Sequence, residues 1–347
     1  MRANVLDFER PAAELEERIA EIKRRTAEEG VDRSEEIANL EAHVQRLIDQ
    51  IYSHLSPWDR VLIARHPDRP YTLDYIRLIF DEFQELHGDR LFGDDAAIVG
   101  GIARLGERWL AVIGHQKGRD IHERSFRNFG SARPEGYRKA LRLMKLAELC
   151  RRPILCFVDT PAADPTVPSE ERGISEAIAR NMREMFTLNV PIIVVLSGEG
   201  GSGGALGLGV GDRILMMEHA IYSVIPPQGC AAILWRDVAK AAERAPQAAS
   251  ALKLTAEDAL HFGVVDEVIP EPRGGAHRSC EGAAAAVKMA LLRHLPEIEA
   301  LGQEERLNAR YERFRRLGEF AEIEKEELPG FEGRIPVTHR PAPMARS

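Results

Sequence analysis

Two wholly apolar runs, Ile154-Leu155-Cys156-Phe157-Val158 and Pro191-Ile192-Ile193-Val194-Val195-Leu196, flank a helix-length segment from Glu170 to Leu188. Runs this short, with no polar alternation, read as strands buried on both faces, and such strands sit inside parallel sheets. The alternation continues on both sides. Ala97–Ala103 and Trp109–Gly114 read as a strand pair turning at Leu105-Gly106-Glu107, and Pro134 to Cys150 has helical periodicity with Pro134 suited to a first turn. Ile214–Met217, Tyr222–Ile225 and Val264–Ile269 extend the series. Parallel neighbours need right-handed crossovers, so the centre of the chain is an α/β core.

The flanks differ from this core. Ile37, Leu40, Val44, Leu47, Ile51 and Leu55 recur at spacings of three and four, Leu15, Ile19 and Ile22 make a shorter stripe, and Gly30 separates them. The pattern predicts an antiparallel helical hairpin with charged outer faces. Helical periodicity returns from Ala283 to about Glu327, and Leu328–Ser347, with four prolines and no apolar period, reads as a flexible tail. The expected divisions are residues 1–80 (helical), 81–327 (core domain) and 328–347 (tail).

Composition removes several classes of function. The net charge of −8 over 347 residues argues against a nucleic-acid-coating protein. No apolar run approaches the roughly 18 residues of a membrane span, and the first residues show no secretory pattern, so a cytoplasmic location is expected. Cys150, Cys156, Cys230 and Cys280 form no Cys-x-x-Cys pair and no His-Glu-x-x-His occurs, so no metal is expected in this chain.

The strongest chemical signal is Gly198-Glu199-Gly200-Gly201-Ser202-Gly203-Gly204-Ala205, directly after the second apolar run. Gly198-x-Gly200-x-x-Gly203 with Glu218 twenty residues on satisfies a dinucleotide fingerprint, implying a nucleotide-dependent oxidoreductase. Gly200-Gly201-Ser202-Gly203-Gly204 satisfies the nucleophile pattern of a hydrolase. Peptide N–H groups at Gly203 and Gly204 suit an oxyanion hole. Close packing of helix on strand accounts for the glycines without any ligand. Spacing alone leaves these readings open.

A resemblance narrows them. Leu6–Glu9 with Pro11, Ala64–Pro67, Arg69–Tyr75, Ile98–Leu105, Ile113–Arg119, Asn128–Gly130, Pro134–Arg142, Gly198–Ala205, and Glu271-Pro272 with Gly274–Arg278 are similar to the α subunits of bacterial acetyl-coenzyme A carboxylase carboxyltransferases, nearly throughout to about Gly318. The resemblance implies a crotonase-like ββα superhelix, of the ClpP/crotonase type, behind the N-terminal hairpin. It implies transfer of a carboxyl group from carboxybiotin, borne on a biotin carboxyl carrier protein that biotin carboxylase charges, to acetyl-CoA, giving malonyl-CoA for fatty acid synthesis. A zinc-containing β subunit is the implied partner in an α2β2 assembly. On this chain the biotin-side oxyanion hole falls on Gly203 and Gly204, with Ala162 and Ala163 as a second source of amides. The carboxybiotin pocket falls on Gly200, Gly201, Ala205 and Gly229, and Lys117 and Arg119 are candidate contacts for CoA phosphates. His115 reads as a loop hydrogen-bonder, and His66 and His277 as turn residues.

Two loops depart from the family. Relatives read Asp-Thr-Pro-Gly-Ala-Tyr-Pro-Gly-Val-Gly where this chain has Asp159-Thr160-Pro161-Ala162-Ala163-Asp164-Pro165-Thr166-Val167-Pro168. Three glycines are lost, Pro168 has no N–H, and Asp164 repels a bound carboxyl group unless it is paired or turned away. Relatives also read Ser-Pro-Glu-Gly-Cys where this chain has Pro226-Pro227-Gln228-Gly229-Cys230. These changes are compatible with tolerated drift. They equally fit a divergent paralogue with another acyl-CoA, or a non-catalytic partner of the β subunit.

Overall fold

A computed structural model describes residues 4–236 and 238–318 of the chain. Among them eight strands form one mixed sheet: β1 (Glu82–Glu85), β2 (Ile98–Leu105), β3 (Arg108–His115), β4 (Ile154–Thr160), β5 (Ile192–Gly201), β6 (Arg213–Met217), β7 (Ile221–Ser223) and β8 (Glu267–Ile269). Their order is β1-β2-β3-β4-β5-β6-β8, with β7 paired to β5 off this path. β1, β2 and β3 pair antiparallel, and every pairing from β3 onward is parallel. The α/β expectation therefore holds, and every residue of β4 and β5 is buried, as their unbroken apolar character requires.

Helices cover both faces. Pro134–Leu149 packs against β2 and β3, and Ile174–Thr187 packs on it; Thr72–Ile79 and Cys280–Glu299 pack together beside β2, β3 and β8. Leu143 lies over Gly100 on one face, and Thr72 lies over Gly114 on the other. Burying each aliphatic side chain of this core contributes about 1.5–3 kcal/mol before entropy is counted. At the C-terminal end, the fully buried guanidinium of Arg310 bonds Asp212 at 2.8 Å and the carbonyls of Met185, Leu188 and Val190, pinning the helix Gln303–Arg315 to the sheet.

The hairpin forms as expected from Arg10–Glu29 and Ser34–Tyr52, closed by Ala12, Ile19, Val44 and Ile48. Leu15, Ile37, Leu40, Leu47 and Ile51 flank that cluster. Tyr75, Ile76 and Ile79 belong to the main core, so the residues just before β1 pack with the sheet rather than with the hairpin.

Several elements differ from the sequence reading. β1 was not anticipated, because Glu82-Phe83-Gln84-Glu85 is an edge strand with no fully buried position. The helix expected over Glu170–Leu188 is two, Val167–Glu171 and Ile174–Thr187, interrupted by Gly173 at φ 80°. The helix expected from Ala283 is also two, Cys280–Glu299 and Gln303–Arg315. Its continuation to Glu327 and the tail at Leu328–Ser347 lie outside the described residues. Most consequentially, β5 runs on through Gly198–Gly201, so half of the glycine segment is strand and not loop.

Candidate active site

β5 ends where β4 ends, and the two strands hand their chains into adjacent turns. Ser202 opens a five-residue helix, Ser202–Leu206, with its own backbone left-handed at φ 51°, a conformation costly for a residue with a β-carbon. The first N–H groups of this helix have no intrahelical acceptor. Behind it, the Tyr137 hydroxyl donates to the Gly204 carbonyl at 3.2 Å, and Asn181 Nδ2 donates to the Tyr137 and Gly207 carbonyls at 3.0 and 3.1 Å.

The glycines of this turn serve different ends. A β-carbon on Gly201 would lie 2.0 Å from the Pro161 carbonyl oxygen, and one on Gly204 would lie 2.6 Å from the Ala162 carbonyl carbon and the Ala163 nitrogen. These two positions let the β5 turn and the β4 turn touch backbone to backbone. Gly203 is open by contrast: a β-carbon there would meet only Ile178 Cδ1, at 3.7 Å. The structure thus sets Gly204 against Ala162 and Ala163, with Gly203 as its open neighbour, and the Ala162 N–H is donated to Thr160 Oγ1 at 3.3 Å. Gly200, Gly201 and Ala205 are shut inside the packing, so as pocket-lining residues they are corrected to close-approach positions. Gly229 is half-buried in the first turn of the helix Pro227–Trp235, which follows β7, the strand paired with Glu199–Gly201.

Beneath the turn lies a buried ionic chain that the sequence reading missed. Asp159 accepts from Lys117 Nζ at 2.6 Å and from the Glu199 N–H at 2.8 Å. Glu199 takes the Arg65 Nε at 3.0 and 3.1 Å, and Arg65 Nη1 continues to Gln228 Oε1 at 3.2 Å. Arg69 pairs with buried Glu271 and donates through Nε to the Ser197 carbonyl at 2.9 Å. Lys117 Nζ is therefore engaged in a buried pair, which corrects its reading as a phosphate contact. Arg119 is 41% exposed but is tied to Asp74, to the Pro67 carbonyl at 2.7 Å and to the face of Tyr71. The available signal was Glu199 itself: a carboxylate inside an apolar and glycine strand must be paired.

His115 is also corrected. It ends β3 rather than sitting in a loop, is fully buried, and has no hydrogen-bond partner of good geometry on either ring nitrogen. Burial first, then the Lys117 charge, push it down to about 3, against the pull of the Phe157 and Gly204 carbonyls, so it is neutral. His66 makes a local turn contact as expected, but His277 does not: its ring reaches the N-terminal segment instead. His66 Nδ1 accepts the Asp68 N–H and its Nε2 faces the Asn4 carbonyl at 2.5 Å. His277 Nε2 lies 3.2 Å from Glu9, which also accepts from Tyr52. Burial raises the Glu9 carboxyl, but His277, Tyr52 and Arg278 outweigh it and hold it at about 2. The ligand atoms of Glu9, His66 and His277 lie within 4.8 Å of one another, yet both His66 nitrogens are already engaged with backbone, which makes the cluster a latch for the N-terminal segment rather than a metal centre.

This geometry decides among the open readings. Gly198 and Gly200 are strand residues, so the dinucleotide fingerprint has no glycine turn to cradle a pyrophosphate, and Glu218 is occupied by the Glu271 N–H at 3.0 Å. Ser202 Oγ makes no hydrogen bond to a histidine or carboxylate among the described residues, so the hydrolase reading lacks a base.

The family described as "Acetyl co-enzyme A carboxylase carboxyltransferase-like" matches residues 5–318. This chain belongs to that family. Over 317 residues it is 56% identical to the acetyl-coenzyme A carboxylase carboxyl transferase subunit alpha of Geobacter metallireducens, covering 91% of this chain and 98% of that one. The subunit of the same name from Nostoc sp. is 54% identical over 319 residues, covering 92% and 97%. The crotonase-like fold is borne out by solved structures. A chain of a Pseudomonas malonate decarboxylase hetero-tetramer in complex with coenzyme A superposes with a TM-score of 0.54 at 17% identity, over 69% of this chain and 91% of that one. The β subunit of P. aeruginosa geranyl-CoA carboxylase gives 0.52 at 16% identity, over 72% of this chain and 46% of that longer one. Among the described residues no helix is long and apolar enough to cross a membrane.

Proposed function

We propose that this chain is the α subunit of an acetyl-CoA carboxylase carboxyltransferase. It moves the carboxyl group of carboxybiotin, presented by a biotin carboxyl carrier protein, to acetyl-CoA held with a β subunit in an α2β2 assembly, and so makes malonyl-CoA. The observation that carries the reading is the meeting of two turns. The Gly204 backbone abuts the peptide between Ala162 and Ala163, the Ala162 N–H being taken by Thr160 Oγ1 at 3.3 Å, and neighbouring Gly203 is left open to an approaching oxygen.

Carboxybiotin supplies the carboxyl group and, once relieved of it, a basic ureido oxygen. The chain's part is to hold an oxyanion with fixed N–H donors in a site that needs no reorganisation. The first-turn amides of Ser202–Leu206 are set by Tyr137 and Asn181 behind them and by the Lys117–Asp159–Glu199–Arg65 chain beneath. No acid–base side chain is required, which accords with a fully buried, neutral His115.

Both loop departures fit a working site better than an idle one. Gln228 still gives Arg65 an acceptor oxygen at the position where the resemblance implies an acid. The Asp164 carboxylate is buried and turned inward onto Thr166 and Ser169, away from an incoming anion.

The test is Gly203→Pro in the complex co-purified with a β subunit, assayed as malonyl-CoA-dependent carboxylation of free biotin. Proline is tolerated in a first helical turn but has no N–H. The expected loss in kcat is about 10²–10³-fold. Unchanged turnover in a folded complex removes Gly203 from the oxyanion hole.

A further inference from the structure

The loop between β4 and Val167–Glu171 should be among the least ordered parts of the site, because it joins two turns across the reacting face. Instead it is fastened at both ends. Thr160 Oγ1 lies 2.7 Å from the carbonyls of both Gly130 and Ala162. Asp164, 4% exposed, donates its N–H to the Ala132 carbonyl at 2.9 Å. Its Oδ2 accepts from Thr166 Oγ1 at 2.7 Å and Ser169 Oγ at 2.5 Å, with Arg133 Nε at 3.8 Å. Between the fastenings lie Ala162 and Ala163, whose backbone abuts Gly204.

Asp164 and Thr166, two of the four positions that the resemblance marks as departures, are thus partners in one hydrogen-bonded knot. A third, Pro168, stiffens the helix start that carries Ser169. Each alone looks damaging in sequence: a carboxylate beside a carboxyl-transfer site, and a glycine lost from a tight loop. Together they satisfy one another.

Resting on the function proposed above, we infer that Asp164 is a positioning residue for carboxyl transfer. Its buried carboxylate, by gripping Thr166 and Ser169, holds the Ala162–Ala163 backbone against the Gly204 turn, and residues 164 and 166 function only as a matched set.

The experiment compares four forms of the co-purified αβ complex: wild type, Asp164→Ala, Asp164→Tyr, and the quadruple change A162G/D164Y/T166G/P168G, which restores the relatives' loop. Turnover of free biotin with malonyl-CoA is measured beside hydrogen exchange of the backbone from Asp159 to Val167. Both single variants are expected to lose about tenfold or more in kcat, with KM for malonyl-CoA within about twofold, and to exchange faster across the loop. The quadruple variant is expected to regain most of the turnover that Asp164→Tyr loses. Full kcat in either folded single variant, unchanged exchange, or a quadruple variant no better than Asp164→Tyr overturns the inference. A wild-type complex with no turnover contradicts the proposed function instead, and the exchange comparison then still decides whether Asp164 holds the loop.

Discussion

At the residue scale, two glycines one serine apart, Gly201 and Gly203, are written alike in sequence and differ by what stands opposite. Adding a methyl at 201 forces it into the Pro161 carbonyl, whereas at 203 it enters van der Waals contact with Ile178. Gly201→Ala is therefore expected to destabilise the chain by about 1–3 kcal/mol or more, and Gly203→Ala to stay within about 1 kcal/mol of wild type. Urea unfolding of both variants checks this, and equal losses would contradict the packing described. The glycine cluster was legible as a site of close backbone approach, but which glycine serves packing and which stays open was not. That distinction lives in the β4 turn, some forty residues away in sequence. Asp164 shows a different limit: its charge was readable, while its inward direction depends on the local turn that carries it onto Thr166 and Ser169, two and five residues on.

At the element scale, β4 and β5 were legible because a strand buried on both faces leaves an unbroken apolar run, whereas β1, at an exposed edge, leaves none. The extension of β5 through Gly198–Gly201 was hidden, since glycine ordinarily ends strands and only pairing with β4 and β7 holds it extended. What joins these elements beneath the turn is charge. Lys117, just past β3, has a side chain 12% exposed and reaches Asp159 in β4, 2% exposed. Lys117→Met should leave that carboxylate without its cation and destabilise the fold by about 3–5 kcal/mol. Arg104→Ala, which breaks the exposed pair with Glu82, should leave the stability nearly unchanged. Chemical denaturation distinguishes them, and a similar small loss for both would show that the buried chain is not a structural tie.

At the scale of the whole molecule, the chain is a mixed sheet clothed in helices, with a helical hairpin latched to it through Glu9, His277 and Arg278. The amide turns of β4 and β5 sit together at one end of that sheet, and the proposed β subunit and carrier protein bring the substrates to them. Family membership was readable from long matching segments spread along the chain, because they span the core strands, the turns and the hairpin entrance alike. Whether the altered 162–168 and 226–228 loops still build a working site was not readable, because Gln228 meets Arg65 only in space and the turn that lets Asp164 reach Thr166 and Ser169 leaves no periodic pattern. The most direct measurement is co-expression with a carboxyltransferase β subunit from the same source, purification of the complex, and assay of malonyl-CoA-dependent carboxylation of free biotin. The account predicts co-purification and steady turnover. A stable complex that stays inactive beside an active relative assayed in parallel would contradict it.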